Sequence, residues 1–95
     1  SMRTPLESSV EAYLVQQVHA HGLTQRKLKF IGRRGAPDRL VLGRYKRKKV
    51  VWFIEVKRPG SAPRPDQFHE HIVLRYYYQD VFVVSSREEV DALFA

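Results

Sequence analysis

Leu6, Val10, Leu14 and Val18 recur every fourth residue, the spacing of one apolar stripe along a helix. Thr4-Pro5-Leu6-Glu7 opens that stretch with an N-cap, a proline at the first helical position and a glutamate three residues on, the capping-box pattern. Gly22 supplies a C-terminal stop. The period then changes. Lys27 to Ile31 alternates weakly, as a short strand would, and Asp38 to Leu42 and Val50 to Lys57 are the next two strands predicted. Val50 to Ile54 is the most apolar stretch of the chain, which predicts a central place in a sheet.

Between these strands the residues are loop-forming. Gly32-Arg33-Arg34-Gly35-Ala36-Pro37 and Arg58-Pro59-Gly60-Ser61-Ala62-Pro63-Arg64-Pro65 break regular structure, and Gly43 to Lys49 forms a basic hairpin tip. A helix is predicted from Pro65 or Asp66 through Tyr76-Tyr77-Tyr78, then a short buried strand from Asp80 to Val84. Ser86 caps a last helix ending in Leu93 and Phe94, with Glu89 completing a second capping box. The order is α-β-β-β-α-β-α, with no internal repeat. The β-α-β segment from Val50 to Val84 implies a right-handed crossover and a parallel pair, so the expected fold class is α/β, a mixed sheet flanked by helices. One domain over residues 1–95 is expected, with Ser1 before Met2 read as a tag-cleavage scar.

Composition narrows the partners. Seventeen Lys+Arg stand against 10 Asp+Glu, a formal charge of +7, and the pI is near 10.1. That balance favours a polyanion such as nucleic acid, because counterion release drives the association. The chain contains no cysteine, which excludes a disulfide framework, a zinc ribbon and a thiol nucleophile. No apolar run reaches membrane-spanning length and no signal peptide opens the chain, so a cytoplasmic, membrane-independent protein is expected.

The chemistry gathers at Pro37-Asp38 and Glu55-Val56-Lys57. Alternation along a strand sends Glu55 and Lys57 to one side and Val56 to the other. If the second and third strands pair as a hairpin, Asp38 meets the end of the third strand and joins Glu55 and Lys57 at one sheet edge. Two converging carboxylates are costly unless a cation lies between them. Oxygen ligands of this kind suit Mg²⁺ or Mn²⁺, which share their remaining positions with water and phosphate oxygens. A lysine beside them can orient the attacking water and offset charge in the transition state. A lone E-x-K in a strand is ordinarily just an exposed pair. Here both charges interrupt an apolar strand, and an arginine- and lysine-rich chain surrounds them.

Gly35-Ala36-Pro37-Asp38-Arg39, Phe53-Ile54-Glu55-Val56-Lys57 and Arg64-Pro65-Asp66-Gln67 together resemble the PD-(D/E)xK nuclease superfamily, specifically its VRR-NUC branch in compact phage and bacterial form. The resemblance covers nearly the whole chain, including Ser86 to Val90. It implies a restriction-endonuclease-like core and Mg²⁺ or Mn²⁺ as cofactor. Asp38 and Glu55 would be the principal metal ligands, with the Val56 backbone carbonyl as a third and Lys57 activating water. Gln67 matches the family's additional active-site glutamine. Glu11 matches a first-helix glutamate that reaches the metal directly or through water, with Glu7 as its rival. The resemblance further implies a homodimer, and two sites about a two-fold axis suit symmetric branched DNA such as a four-way (Holliday) junction. Flap, duplex or RNA cleavage, and a catalytically silent DNA-binding module, stay open as alternatives.

Arg33, Arg34, Arg58 and Arg64 are expected near the active edge as phosphate contacts. Lys46, Arg47, Lys48 and Lys49 at the hairpin tip either enter a groove or serve solubility. The histidines form two i,i+2 pairs, a spacing that makes no metal site on a helix. Only His71, one turn after Gln67, can approach the active edge. The three consecutive tyrosines must face different directions on a helix, so some are expected in the core and some exposed, as at a protein interface.

Overall fold

A computed structural model describes residues 4–78 and 80–95; Ser1 and Met2, and with them the expected tag scar, lie outside the described residues. The chain runs α1 (Pro5–Ala20), β1 (Thr24–Lys27), β2 (Arg39–Tyr45), β3 (Lys48–Val56), α2 (Pro65–Tyr78), β4 (Val81–Val84) and α3 (Arg87–Leu93). The strands form one sheet in the order β1-β2-β3-β4. β1–β2 and β2–β3 are antiparallel and β3–β4 is parallel. This is the mixed α/β sheet predicted, with β3 inside it.

α1 starts as its sequence dictates. The Thr4 hydroxyl oxygen accepts from the Glu7 N–H at 3.2 Å, and the Glu7 carboxylate accepts from the Thr4 N–H at 3.4 Å. Such a cap is worth about 1 kcal/mol. The inward stripe differs from expectation at its first member: Val10, Leu14 and Val18 are buried, while Leu6 is 52% exposed. Glu11, three residues before Leu14, is buried as well. At α3, Ser86 caps as predicted, its hydroxyl accepting from the Glu89 N–H. The reciprocal half slips by one residue, since Glu89 accepts from the N–H and hydroxyl of Ser85.

β1 lies earlier than Lys27 to Ile31. The helix end at His21 delivers the chain directly into pairing with β2, Thr24 facing Leu42 and Lys27 facing Arg39. After Leu28, whose N–H still donates to the Asp38 carbonyl, the chain leaves the sheet, and Ile31 is almost wholly exposed. β2 and β3 are longer than the sequence suggests. Only Lys46 and Arg47 remain as the turn, both with positive φ (51° and 69°), the type I′ geometry that matches strand twist. Side chains pay about 1 kcal/mol each for that conformation.

Alternation along β3 divides the interior. Trp52, Ile54 and Val56 join Val10, Leu14, Val18, Val41, Val84, Val90 and Phe94 beneath α1 and α3. Phe53 packs on the opposite face with Leu74 of α2 and Val81. Glu55 therefore falls on the α2 face, at the end of the strand.

Candidate active site

The β2–β3 register places Arg39 opposite Ile54, which sets Asp38 beside the last residues of β3. The Asp38 N–H donates to the Ile54 carbonyl at 3.0 Å. Its carboxylate Oδ2 accepts from the Val56 N–H at 2.6 Å. The hairpin thus holds Asp38 across from both neighbours of Glu55, the arrangement that the Pro-Asp and Glu-x-Lys spacing predicts.

Glu55 is only 1% exposed and is held from α2. Gln67 Nε2 donates to Glu55 Oε2 at 3.1 Å, and His71 Nε2 lies 3.4 Å from Oε1. These two residues are one helical turn apart, so a single helix face addresses both oxygens. The Gln67 amide is oriented in turn, its Oε1 accepting from the Arg64 N–H at 2.9 Å. Lys57 follows the strand, and its N–H donates to the Val84 carbonyl at 2.9 Å. That bond extends the ladder by one residue, and the alternation with it, so Lys57 sits on the same side as Glu55.

Glu11 is buried, and its Oε2 accepts from Arg39 Nε at 2.9 Å; Arg39 Nη1 donates to Gln25 Oε1 at 2.8 Å. Its rival Glu7 serves the α1 cap. Among the described residues no three of His, Cys, Asp and Glu converge as a ready-made metal site. The oxygen donors that would be left to a cation at the end of β3 are the Asp38 and Glu55 carboxylates, a strand-end carbonyl and water. Those are hard oxygen ligands, and they fit Mg²⁺ or Mn²⁺ in sites that keep several waters.

The loop from Lys29 to Pro37 is fastened to α2 by ion pairs. Arg33 Nη2 reaches the buried Glu70 at 2.7 Å, and Arg34 Nε lies 3.6 Å from Asp66. Arg64 also bonds Asp66, at 3.2 Å. The Arg64 hydrogen bond, joined by the charges of Arg64 and Arg34, holds the Asp66 carboxyl below its ordinary 3.8 despite some desolvation. Three of the four arginines expected at the active edge thus serve partly as fasteners, though each keeps half or more of its side chain exposed. Arg58 is exposed in the turn after β3. Lys46 to Lys49 lie at the far end of the hairpin, where Lys46 Nζ donates to the Ala95 carbonyl at 2.6 Å.

Sequence reasoning passed over Glu70 and Arg39. Glu70 stands three residues after Gln67, a spacing that signals a shared helix face, but nothing in the sequence pairs it with Arg33.

The mixed four-stranded sheet with three helices, in the order α-β-β-β-α-β-α, has a restriction-endonuclease-like fold, with Asp38 bonded to the end of β3 and Gln67 of α2 bonded to Glu55. A solved structure described as a VRR_NUC domain superposes with a TM-score of 0.85 and 40% identity, covering 95% of each chain. "Putative nuclease p44" of Acyrthosiphon pisum secondary endosymbiont phage 1 is 39% identical over 87 residues, 92% of this chain and 90% of that protein. No family model matches. The chain belongs to the VRR-NUC family of nucleases. Among the described residues, no helix is long and apolar enough to cross a membrane.

Proposed function

We propose that residues 1–95 form one metal-dependent endodeoxyribonuclease domain that hydrolyses phosphodiesters of branched DNA, four-way junctions in particular, as a homodimer in the cytoplasm of a bacterium or phage-infected host. The observation that carries this reading is the joint hold on two carboxylates: Asp38 bonded to the Val56 N–H, and Glu55 gripped from α2. Asp38, Glu55 and the Val56 carbonyl would hold Mg²⁺ or Mn²⁺, with Glu11 reaching it through water. When bound, such an ion neutralises phosphate charge and lowers the pKa of water. Gln67 and His71 orient Glu55. Lys57 stands on the same side, placed to orient the attacking water and to offset charge on the phosphoryl oxygens. Arg33, Arg34, Arg58 and Arg64 surround this edge and contact flanking phosphates, which fix register without reading bases.

The dimer reading draws support from α2, where Phe68, Ile72 and Tyr76 are 56%, 52% and 81% exposed at every fourth position. Apolar surface of that kind suits a second copy of the chain, and sedimentation would find twice the monomer mass. The activity is tested by cleavage of a labelled four-way junction beside linear duplex and a flap, with Mn²⁺, Mg²⁺ or EDTA. Paired symmetric nicks on the junction, metal-dependent and lost in Asp38→Ala, are expected. Lys57→Ala should abolish cutting and leave DNA binding largely intact; undiminished cutting by that variant refutes the assignment.

A further inference from the structure

The sheet face that bears Glu55 continues away from it to a cationic end. Residues 49, 51, 53 and 55 of β3 share this face by alternation. Register carries it across to Leu40, Leu42 and Arg44 of β2, then to Thr24 and Arg26 of β1. α2 covers the β3–β4 part, with Leu74 on Phe53 and Val81 and the Tyr78 ring 5.4 Å from that of Phe53. Towards β1 and the hairpin tip the covering ends. There Leu40, Leu42 and Val51 are half-buried, and Arg26, Arg44, Arg47 and Lys49 are exposed.

Two features make this end unfavourable in the isolated protein. Arg44 and Lys49 are cross-strand partners, and like charges directly opposite each other destabilise a sheet. The turn beyond them seats Lys46 and Arg47 at positive φ, where asparagine and glycine fit more readily. No Asp or Glu occurs between Arg39 and Ile54 to offset these charges. Solubility asks for neither the opposed pair nor the strained turn. An anion lying along the face relieves the opposed pair and uses the charge that the turn presents.

We infer that Arg26, Arg44, Arg47 and Lys49 form a second, distal contact for the sugar-phosphate backbone of the DNA arm whose scissile phosphate lies at Glu55, an inference that rests on the nuclease reading above. Six residues separate Lys49 from Glu55, about 20 Å at the rise of a strand. At 3.4 Å per base pair the contact falls roughly six base pairs from the cut. Affinity should therefore grow with arm length until the duplex reaches the tip.

The test measures binding by anisotropy in EDTA, on junctions and duplexes with arms of increasing length and over a salt series. Cleavage with Mn²⁺ runs in parallel. Arg47→Gly combined with Lys49→Gln should lower the slope of log K against log salt by about 1.8, two contacts at about 0.9 each. The same variant should gain a few degrees in Tm, as strain and repulsion are both relieved. Arg26→Gln with Arg44→Gln changes neither turn residue, removing from the turn only the long 3.5 Å bond from Arg44 Nη2 to the Arg47 carbonyl, and should lower the slope by a similar amount. In both variants affinity should level off at shorter arms than in the wild type. Unchanged slopes and arm-length dependence in both variants, with cleavage intact, would overturn the distal contact alone. A wild-type protein that neither binds nor cuts DNA would overturn it together with the nuclease reading.

Discussion

Gly35 sits three residues before Asp38 with φ +95°, and a Cβ built on it would lie 2.6 Å from the Asp66 carbonyl oxygen and 3.3 Å from Glu70 Cβ. Replacing it with alanine meets two costs. A side chain in that region of φ costs about 1–2 kcal/mol. The contact with helix backbone forces loop and α2 apart, an overpacking cost of about 1–3 kcal/mol. Together these come to roughly 2–5 kcal/mol, or a Tm loss of about 10–25 °C in a domain of this size. Gly32, in the same loop at φ +83°, has nothing within 4 Å of its Cβ position. Gly32→Ala therefore meets the backbone cost alone, about 1–2 kcal/mol. Thermal and urea denaturation of both variants isolates the steric share. Gly35→Ala should also cut more slowly than Gly32→Ala, by about 100-fold if Asp38 shifts by an ångström from Gln67 and Glu55. A Gly35→Ala protein no less stable than Gly32→Ala would refute the idea that loop and helix touch so closely.

Three further outcomes follow from the same geometry. Titration calorimetry should detect Mn²⁺ binding to the wild type and lose it in Asp38→Ala, because one of the two proposed carboxylate ligands would be gone; retained affinity would place the ion elsewhere. Ile54 is fully buried, so Ile54→Ala should cost about 3–4 kcal/mol by denaturation and also lower cleavage by loosening the strand beside Glu55. The Tyr13 hydroxyl donates to Asp91 at 2.6 Å, and that bond, with some desolvation, raises the Tyr13 pKa above 10.0. A group raised in the folded state stabilises below its unfolded pKa and loses that contribution as pH climbs through the folded value. Wild-type Tm should therefore fall more steeply than that of Tyr13→Phe as pH rises above 10, and parallel curves would show the α1–α3 clasp to be inert.

Most of the architecture is legible in the chain because the strongest signals are local. The α1 cap needs only four residues, and the apolar run before Glu55 marks a central strand by itself. The position of Asp38 beside the end of β3 is legible because one assumption, a β2–β3 hairpin, determines it. β1 leaves a weaker trace: Thr24-Gln25-Arg26-Lys27 is polar on both faces and pairs along β2, whereas Leu28 to Ile31 look more strand-like and leave the sheet. Leu6 fits the helical stripe, but the described residues leave it half exposed at the first turn of α1. The Arg33–Glu70 and Arg39–Glu11 pairs span 37 and 28 residues, and charge partners so far apart leave no periodic trace.

Ile54 and Val56, at 0% and 1% exposure, bracket Glu55 on the opposite side of the strand. A one-residue slip of β3 would send the carboxylate in among Val10, Leu14 and Val41 and turn two core residues outward. The hydrophobic interior thus polices the reading frame of the chemistry. An insertion or deletion within β3 cannot drift through partly active intermediates, since it disrupts folding and catalysis in the same step. Loops such as Arg58 to Arg64 carry no such constraint, and a change of length there leaves the β3 register, and with it the side to which Glu55 points, untouched.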